Sequence, residues 1–190
     1  YAADVVYNEP PAPTPPIEVD PVSTWAGPYV GLSTGYGFGG AATGAAGGTI
    51  NGPSGWMFSG FGGYNWQSGG FVYGLEGDVG YNGQNAGNGT TYFRNGMEGS
   101  LRARFGVAAS DNVLLYGTAG VAWAALDTEG VGQSLTGWVA GVGVESFVTD
   151  TISVKAEYLY HDFGSVYVEG YDGDFDITAN TFKVGVNFHF

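Results

Sequence analysis

The final ten residues, Thr181 to Phe190, alternate without a break. Phe182, Val184, Val186, Phe188 and Phe190 share one parity; Thr181, Lys183, Gly185, Asn187 and His189 share the other. A period of two marks a β-strand with two chemically different faces. From Trp25 onward the same alternation recurs in eight segments, at roughly 26–38, 56–67, 71–81, 91–107, 113–126, 136–148, 151–163 and 177–190. The connections alternate in length: short near 68–70, 108–112 and 149–150, long near 39–55, 82–90, 127–135 and 164–176. Eight is an even number, so both ends of this strand array emerge on the short-connection side.

One parity is apolar along every segment. It carries Leu32, Tyr36, Phe38, Phe58, Tyr64, Trp66, Phe71, Tyr73, Leu75, Val79 and Tyr81 in the first three. Later it carries Phe93, Leu101, Phe105, Leu115, Val121, Trp123, Trp138, Val142, Val144, Ile152, Val154, Tyr158 and Tyr160. Its aromatic residues gather toward the two ends of the segments rather than the middle. Two aromatic belts are what the two interfaces of a bilayer select. The pattern predicts an all-β fold: an eight-stranded antiparallel transmembrane β-barrel with its apolar parity facing lipid.

The other parity collects charge. Glu76, Asp78, Arg94, Glu98, Arg102, Arg104, Glu145, Lys155, Glu157 and Lys183 all fall on lumen positions, and this set contains every Lys and Arg in the chain. Eight-stranded barrels have interiors just wide enough to be filled by side chains. Ions confined there must pair, because an unpaired buried charge costs several kcal/mol. Glycines on the same parity, among them Gly35, Gly63, Gly74, Gly106, Gly120, Gly141, Gly143 and Gly185, leave room for the long side chains. The lumen therefore reads as a salt-bridge plug. A gated hydrophilic pore lined by the same residues is the alternative.

Composition agrees with this class. The chain has 36 Gly and 16% aromatic residues but only 12% charged residues, and its mean hydropathy is zero, as expected when lipid-facing and lumen-facing residues alternate. No run of about 18 apolar residues suggests a membrane helix. Cysteine is absent, which excludes disulfides and thiolate chemistry. The net charge of −13 argues against a nucleic-acid partner, which needs clustered Lys and Arg.

Residues 1–24 differ from the barrel region, 25–190. Pro10, Pro11, Pro13, Pro15, Pro16 and Pro21 crowd one stretch, with Asp4, Glu9, Glu18 and Asp20 and no basic residue. Such a segment reads as a disordered, extended tether, and some twenty residues reach roughly 60 Å. Tyr1-Ala2-Ala3-Asp4 looks like the end of a cleaved secretory signal, with the mature terminus at Ala3 or Ala2.

Three other signals look like chemistry. Gly35 to Gly40 matches a dinucleotide-binding glycine pattern, but no helix is predicted to follow it. Asp172, Asp174 and Asp176 resemble the start of a calcium loop, yet Lys183 stands where the closing Glu belongs. His161 and His189 are the histidines, and strand parity places no Ser/His/Asp triad around either. No cofactor, metal or catalytic residue is expected.

Several stretches in order carry a family resemblance. They are Trp25-Ala26-Gly27-Pro28-Tyr29-Val30-Gly31, Gly63-Tyr64-Asn65-Trp66-Gln67, Phe71 to Asp78, Leu101-Arg102-Ala103-Arg104-Phe105-Gly106, Gly141 to Glu145 and Lys155 to Tyr160, followed by the Phe-ended last strand. Together they resemble the alphaproteobacterial outer-membrane immunogenic proteins, small porin-like, opacity-type eight-stranded barrels. The resemblance implies outer-membrane lipid and lipopolysaccharide as surroundings, and Phe190 and Phe188 as the signal read by the barrel-assembly machinery. It also implies a structural role in the envelope. Some members join a mature N-terminal Ala, followed by Asp and a Pro-rich segment, to peptidoglycan; here Ala3 (or Ala2) and Asp4 match. Other members are described as porins or as surface antigens acting through their external loops.

Overall fold

Alternating side chains leave each strand's backbone groups unpaired until neighbouring strands supply partners, and a closed sheet supplies them all without an edge. In the computed structural model, residues 24–38, 41–44, 49–51, 54–83, 85–86, 93–128, 131–167 and 174–190 are described. Side chains at 41–53, 85–86, 93–95, 125–135 and 165–177 lie outside that description. The eight barrel strands are β1 (Gly27–Phe38), β2 (Gly55–Ser68), β3 (Phe71–Asn82), β4 (Phe93–Ser110), β5 (Val113–Thr128), β6 (Val131–Phe147), β7 (Ile152–Tyr167) and β8 (Asp174–His189). Each pairs antiparallel with its sequence neighbours, and β1 closes on β8 from Tyr29↔His189 to Phe38↔Asn180. No helix is present among the described residues.

The short connections are tight turns. Gly69 and Gly70 join β2 to β3, with Gly69 at φ 60°, a left-handed conformation that glycine adopts without strain. Asp111 and Asn112 join β4 to β5, and residues 148–151 join β6 to β7, where Val148 N–H donates to the Ile152 carbonyl at 2.8 Å. The end of the barrel carrying these turns is called the turn end below, and the opposite end the loop end.

At the loop end the strands outrun the sequence expectation. β6 begins at Val131, and the ladder with β5 continues to Thr128↔Val131, so the long connection expected at 127–135 shrinks to two residues. β7 runs to Tyr167 and β8 starts at Asp174. Inside the expected loop 39–55, strands Ala41–Gly44 and Thr49–Asn51 form a hairpin that adds to β8 through Phe175↔Gly44. Beyond the apolar band neither face of a strand must be apolar. The alternation fades there while backbone pairing continues, so the pattern by itself marks these strand ends as loops. Residues 1–23, where the tether was expected, lie outside the described residues.

The outer wall is apolar, with Leu32 74% exposed and Val142 63% exposed. Aromatic side chains line both ends. At the turn end Trp66 stacks on Tyr73 at 5.9 Å and Phe71 on Phe105 at 6.0 Å; at the loop end Tyr36 meets Trp56 and Trp138 meets Tyr160, each at 5.5 Å. Phe188 and Phe190 face outward and pack edge to face at 5.1 Å. Phe93, expected on this wall, has its side chain outside the described set.

The depth of a charge on this wall sets its cost. Val142→Arg, well inside the apolar band, is expected to destabilise the barrel by about 2–4 kcal/mol, and Val148→Arg, on a turn, by about 0–1 kcal/mol. Reversible urea unfolding in phospholipid vesicles measures both; equal costs would contradict the assigned band.

Candidate functional site: the charged lumen

Strand parity turns the charged residues inward, and the register decides which of them meet. Glu76 lies opposite Arg102 across the β3–β4 ladder, Glu145 opposite Lys155 across β6–β7, and Glu157 opposite Lys183 across β7–β8. The side chains do not simply pair with these ladder neighbours. Lys155 reaches across the lumen to Glu76, with Nζ 2.8 and 2.9 Å from its two carboxylate oxygens. Lys183 donates to Asp78 Oδ2 at 3.3 Å.

Glu76 is the hub. Besides Lys155 it accepts from Arg102 at 2.5 Å, from Arg104 at 3.3 Å and from the Tyr29 hydroxyl at 2.9 Å. Glu157 meets Arg102 at 3.4 Å, Lys155 at 3.5 Å and the Tyr116 hydroxyl at 2.9 Å. Glu145 accepts from Arg104 at 2.6 Å and Ser153 at 2.6 Å, and also from Asn187. Asp78 meets Lys183, Arg102 at 3.6 Å, and Ser100. These eight ions, four acids and four bases, are all buried. Glu98 sits at the rim, 4.0 Å from Lys183 and 2.7 Å from Asn82, with its side chain 20% exposed. Arg94 lies opposite Asp127 in the β4–β5 register, beyond a bulge between Asn95 and Glu98, and its side chain is outside the described set.

Aromatic rings and glycines complete the packing. The Arg104 guanidinium lies 4.0 Å from the Tyr116 ring centroid, and Lys155 Nζ lies 3.6 Å from that of Phe61. Cations over ring faces gain electrostatic attraction where water is excluded. A Cβ on Gly143 would stand 2.5 Å from the Tyr116 ring, and one on Gly63 equally close to the Tyr29 hydroxyl. A Cβ on Gly35 would stand 2.8 Å from the Lys183 stem.

The ions are sandwiched between two apolar layers that the charge pattern did not announce. At the turn end Trp25, Val72, Leu114, Tyr116 and Phe147 form one cluster. Above the ions, toward the loop end, Ala122, Val139 and Leu159 form another, with Phe163 packed on it. Val72, Leu114 and Tyr116 are in phase with Glu76 and Thr118, so strict parity would have turned them inward. The hydroxyl and amide partners Tyr29, Ser153 and Asn187 carry the same signal.

One cluster resembles a triad in composition but not in geometry. The structure does gather a serine, a histidine and an acid: Ser153 Oγ lies 2.9 Å and Glu145 Oε1 3.2 Å from His189 Nε2. A relay needs the hydroxyl on one imidazole nitrogen and the acid on the other. Here both meet the same nitrogen, and Ser153 is fully buried. The arrangement is a clamp between β6, β7 and β8. Residues 35–38 of the glycine pattern lie in strand β1, and Asp174 and Asp176 of the acidic pattern lie in strand β8, whereas Gly39, Gly40 and Asp172 are outside the described residues. No group of three or more metal-ligating side chains occurs among the described residues.

Removing the hub leaves two guanidinium groups and an ammonium without their shared partner. Glu76→Ala is expected to cost about 3–5 kcal/mol, the penalty of an uncompensated buried charge. Glu98→Ala, at the rim, is expected to cost about 1 kcal/mol or less. Unfolding in vesicles compares the two directly.

Comparison with known proteins agrees with this architecture. The family model for the outer membrane protein beta-barrel domain matches residues 15–190. The 25 kDa outer-membrane immunogenic protein of Brucella melitensis is 36% identical across 100% of this chain and 90% of its own length. The 22 kDa outer membrane protein of Rhizobium leguminosarum is 35% identical across 88% of this chain and 74% of its own. Among solved structures, Neisserial surface protein A superposes with a TM-score of 0.57 at 19% identity, covering 87% of this chain and 98% of that one. OprG from Pseudomonas aeruginosa gives 0.54 at 11% identity, covering 87% and 96%.

Proposed function

Because this chain belongs to the outer-membrane β-barrel family, we propose that it serves the envelope as a closed structural post. The turn end faces the periplasm in this reading, and the segment before Trp25 runs toward the cell wall. The observation that carries it is the filled lumen: eight buried ions under an apolar layer at each end. A channel must keep water along its axis, whereas here carboxylates, guanidinium groups and ammonium groups satisfy one another. Cross-lumen pairs tie β3 to β7 and β4 to β6, adding bracing to the wall's own ladders.

The mature N-terminal amine, at Ala3 or Ala2 and followed by Asp4, is the proposed attachment point to peptidoglycan. A primary amine can attack the acyl carbon of a transpeptidase acyl-enzyme, forming an amide with the wall as the acyl–enzyme bond breaks and the enzyme's nucleophile leaves with the amine's proton. The Pro-rich stretch from Pro10 to Pro21 is chemically suited to hold that amine away from the barrel. The barrel-assembly machinery, reading Phe188 and Phe190, is the other proposed partner, with lipopolysaccharide at the loop end.

Two measurements test this. Mass spectrometry of muramidase-digested sacculi is expected to find N-terminal peptides carrying a muropeptide on Ala3 or Ala2; only free termini would remove the wall link. Purified protein in planar bilayers is expected to show no stable open channel, and sustained single-channel steps would favour the pore over the post.

A further inference from the structure

Trp25 differs from the rest of the lumen filling in one respect: it does not belong to the wall. Strand β1 begins at Gly27, and Trp25 enters no ladder pair. Its indole nevertheless sits in the turn-side mouth, 1% exposed, with its ring centroid 4.3 Å from that of Phe147 and 6.2 Å from that of His189. Val72, Leu114 and Tyr116 complete the socket. Among the described residues its backbone is held by one hydrogen bond, donated by its N–H to Gln67 Oε1 at 2.9 Å. Among the described residues the buried indole Nε1 has no hydrogen-bond partner.

Beneath this layer lie the polar groups of the mouth. His189 touches both levels, packing tilted against Phe147 at 4.8 Å and meeting Ser153 at 2.9 Å, while Ser153 lies opposite Phe147 in the β6–β7 register. Gly27, the first residue of β1 and opposite Asn65 in the ladder with β2, has φ 132°, a backbone conformation that residues with a Cβ rarely adopt. A Cβ there would also stand 3.2 Å from the Phe190 carbonyl.

We propose that Trp25 is a removable stopper, hinged at Gly27, whose withdrawal opens the turn-side mouth onto Glu145, Ser153 and His189 while the barrel stays closed. Withdrawal breaks no strand pairing. It gives up the apolar contacts of one ring and the two hydrogen bonds to Gln67 Oε1, from the Trp25 N–H at 2.9 Å and the Thr24 hydroxyl at 3.5 Å, while the indole N–H regains water. Local openings of this kind lie well below global unfolding. The inference goes beyond the post reading and does not require a wall link.

The chain has no cysteine, so Ser153→Cys provides a single buried thiol reporter. In detergent micelles, with folding verified by mobility on unheated gels, a charged methanethiosulfonate reagent reports access to the mouth. Adding Trp25→Ala is expected to raise the labelling rate at least about tenfold, with Trp25→Phe in between. With Trp25 present, labelling is expected to be slow but nearly insensitive to urea below the unfolding transition, the mark of local opening. Equal rates with and without Trp25 would overturn the proposal. So would labelling that appears only as the barrel unfolds, which would make Trp25 a fixed clamp. The urea dependence needs no Trp25 variant, so it decides the question even if Trp25→Ala does not fold. Asn187→Cys is a second reporter should Ser153→Cys not fold.

Discussion

Neutralising charge inside a closed barrel is the constraint on which the rest depends. Eight antiparallel strands leave a space that side chains must fill, and this chain fills it with ions. An isolated carboxylate there would be expensive, so each one has at least one cation and further hydrogen-bond donors around it. Glu76 satisfies three bases and a tyrosine at once, and this is possible because strands β3, β4 and β7 curve around the same axis. The buried set balances at four acids against four bases. The chain's net charge of −13 therefore comes from residues outside that set.

Packing follows from this network. Long cations need space on the inner wall, which is where glycines stand, and aromatic faces are placed to receive the cations. Tyr29 and Tyr116 each do two jobs: their rings face Arg104, while their hydroxyls donate to Glu76 and Glu157. The apolar layers then seal the ions from both ends. Excluding water strengthens each ionic contact and raises the cost of losing a partner. The same exclusion makes the barrel a post in the functional reading, and it makes the mouth, where Trp25 enters from outside the wall, the place where the interior can be reached without opening the sheet.

Closure resolves a second problem. An open sheet of these strands would expose backbone donors and acceptors to lipid, where no water could satisfy them. Pairing β1 with β8 removes both edges, and the outer wall can then be apolar along its whole band. The aromatic pairs at its two ends, such as Trp66–Tyr73 and Trp138–Tyr160, have amphipathic rings suited to headgroup level.

Period-two alternation alone determined how many strands cross, which side chains face lipid and which face the lumen, because a pleated strand turns successive side chains to opposite faces. It also placed Glu76, Arg102, Arg104, Glu145, Lys155, Glu157 and Lys183 on one face. The loop-end strand limits were illegible because pairing there continues by backbone hydrogen bonds after the apolar requirement has ended. The inward apolar layers were visible in parity, but they carry no charge to mark them as a group. The choice of partners was decided only by the tertiary structure. Alternation names a face but not a register, and closure sets which strands confront each other across the lumen. Lys155 bonds Glu76, 79 residues away, although Glu145 stands opposite it in the ladder. That choice depends on the curvature and stagger of the whole wall, which no local stretch of sequence encodes.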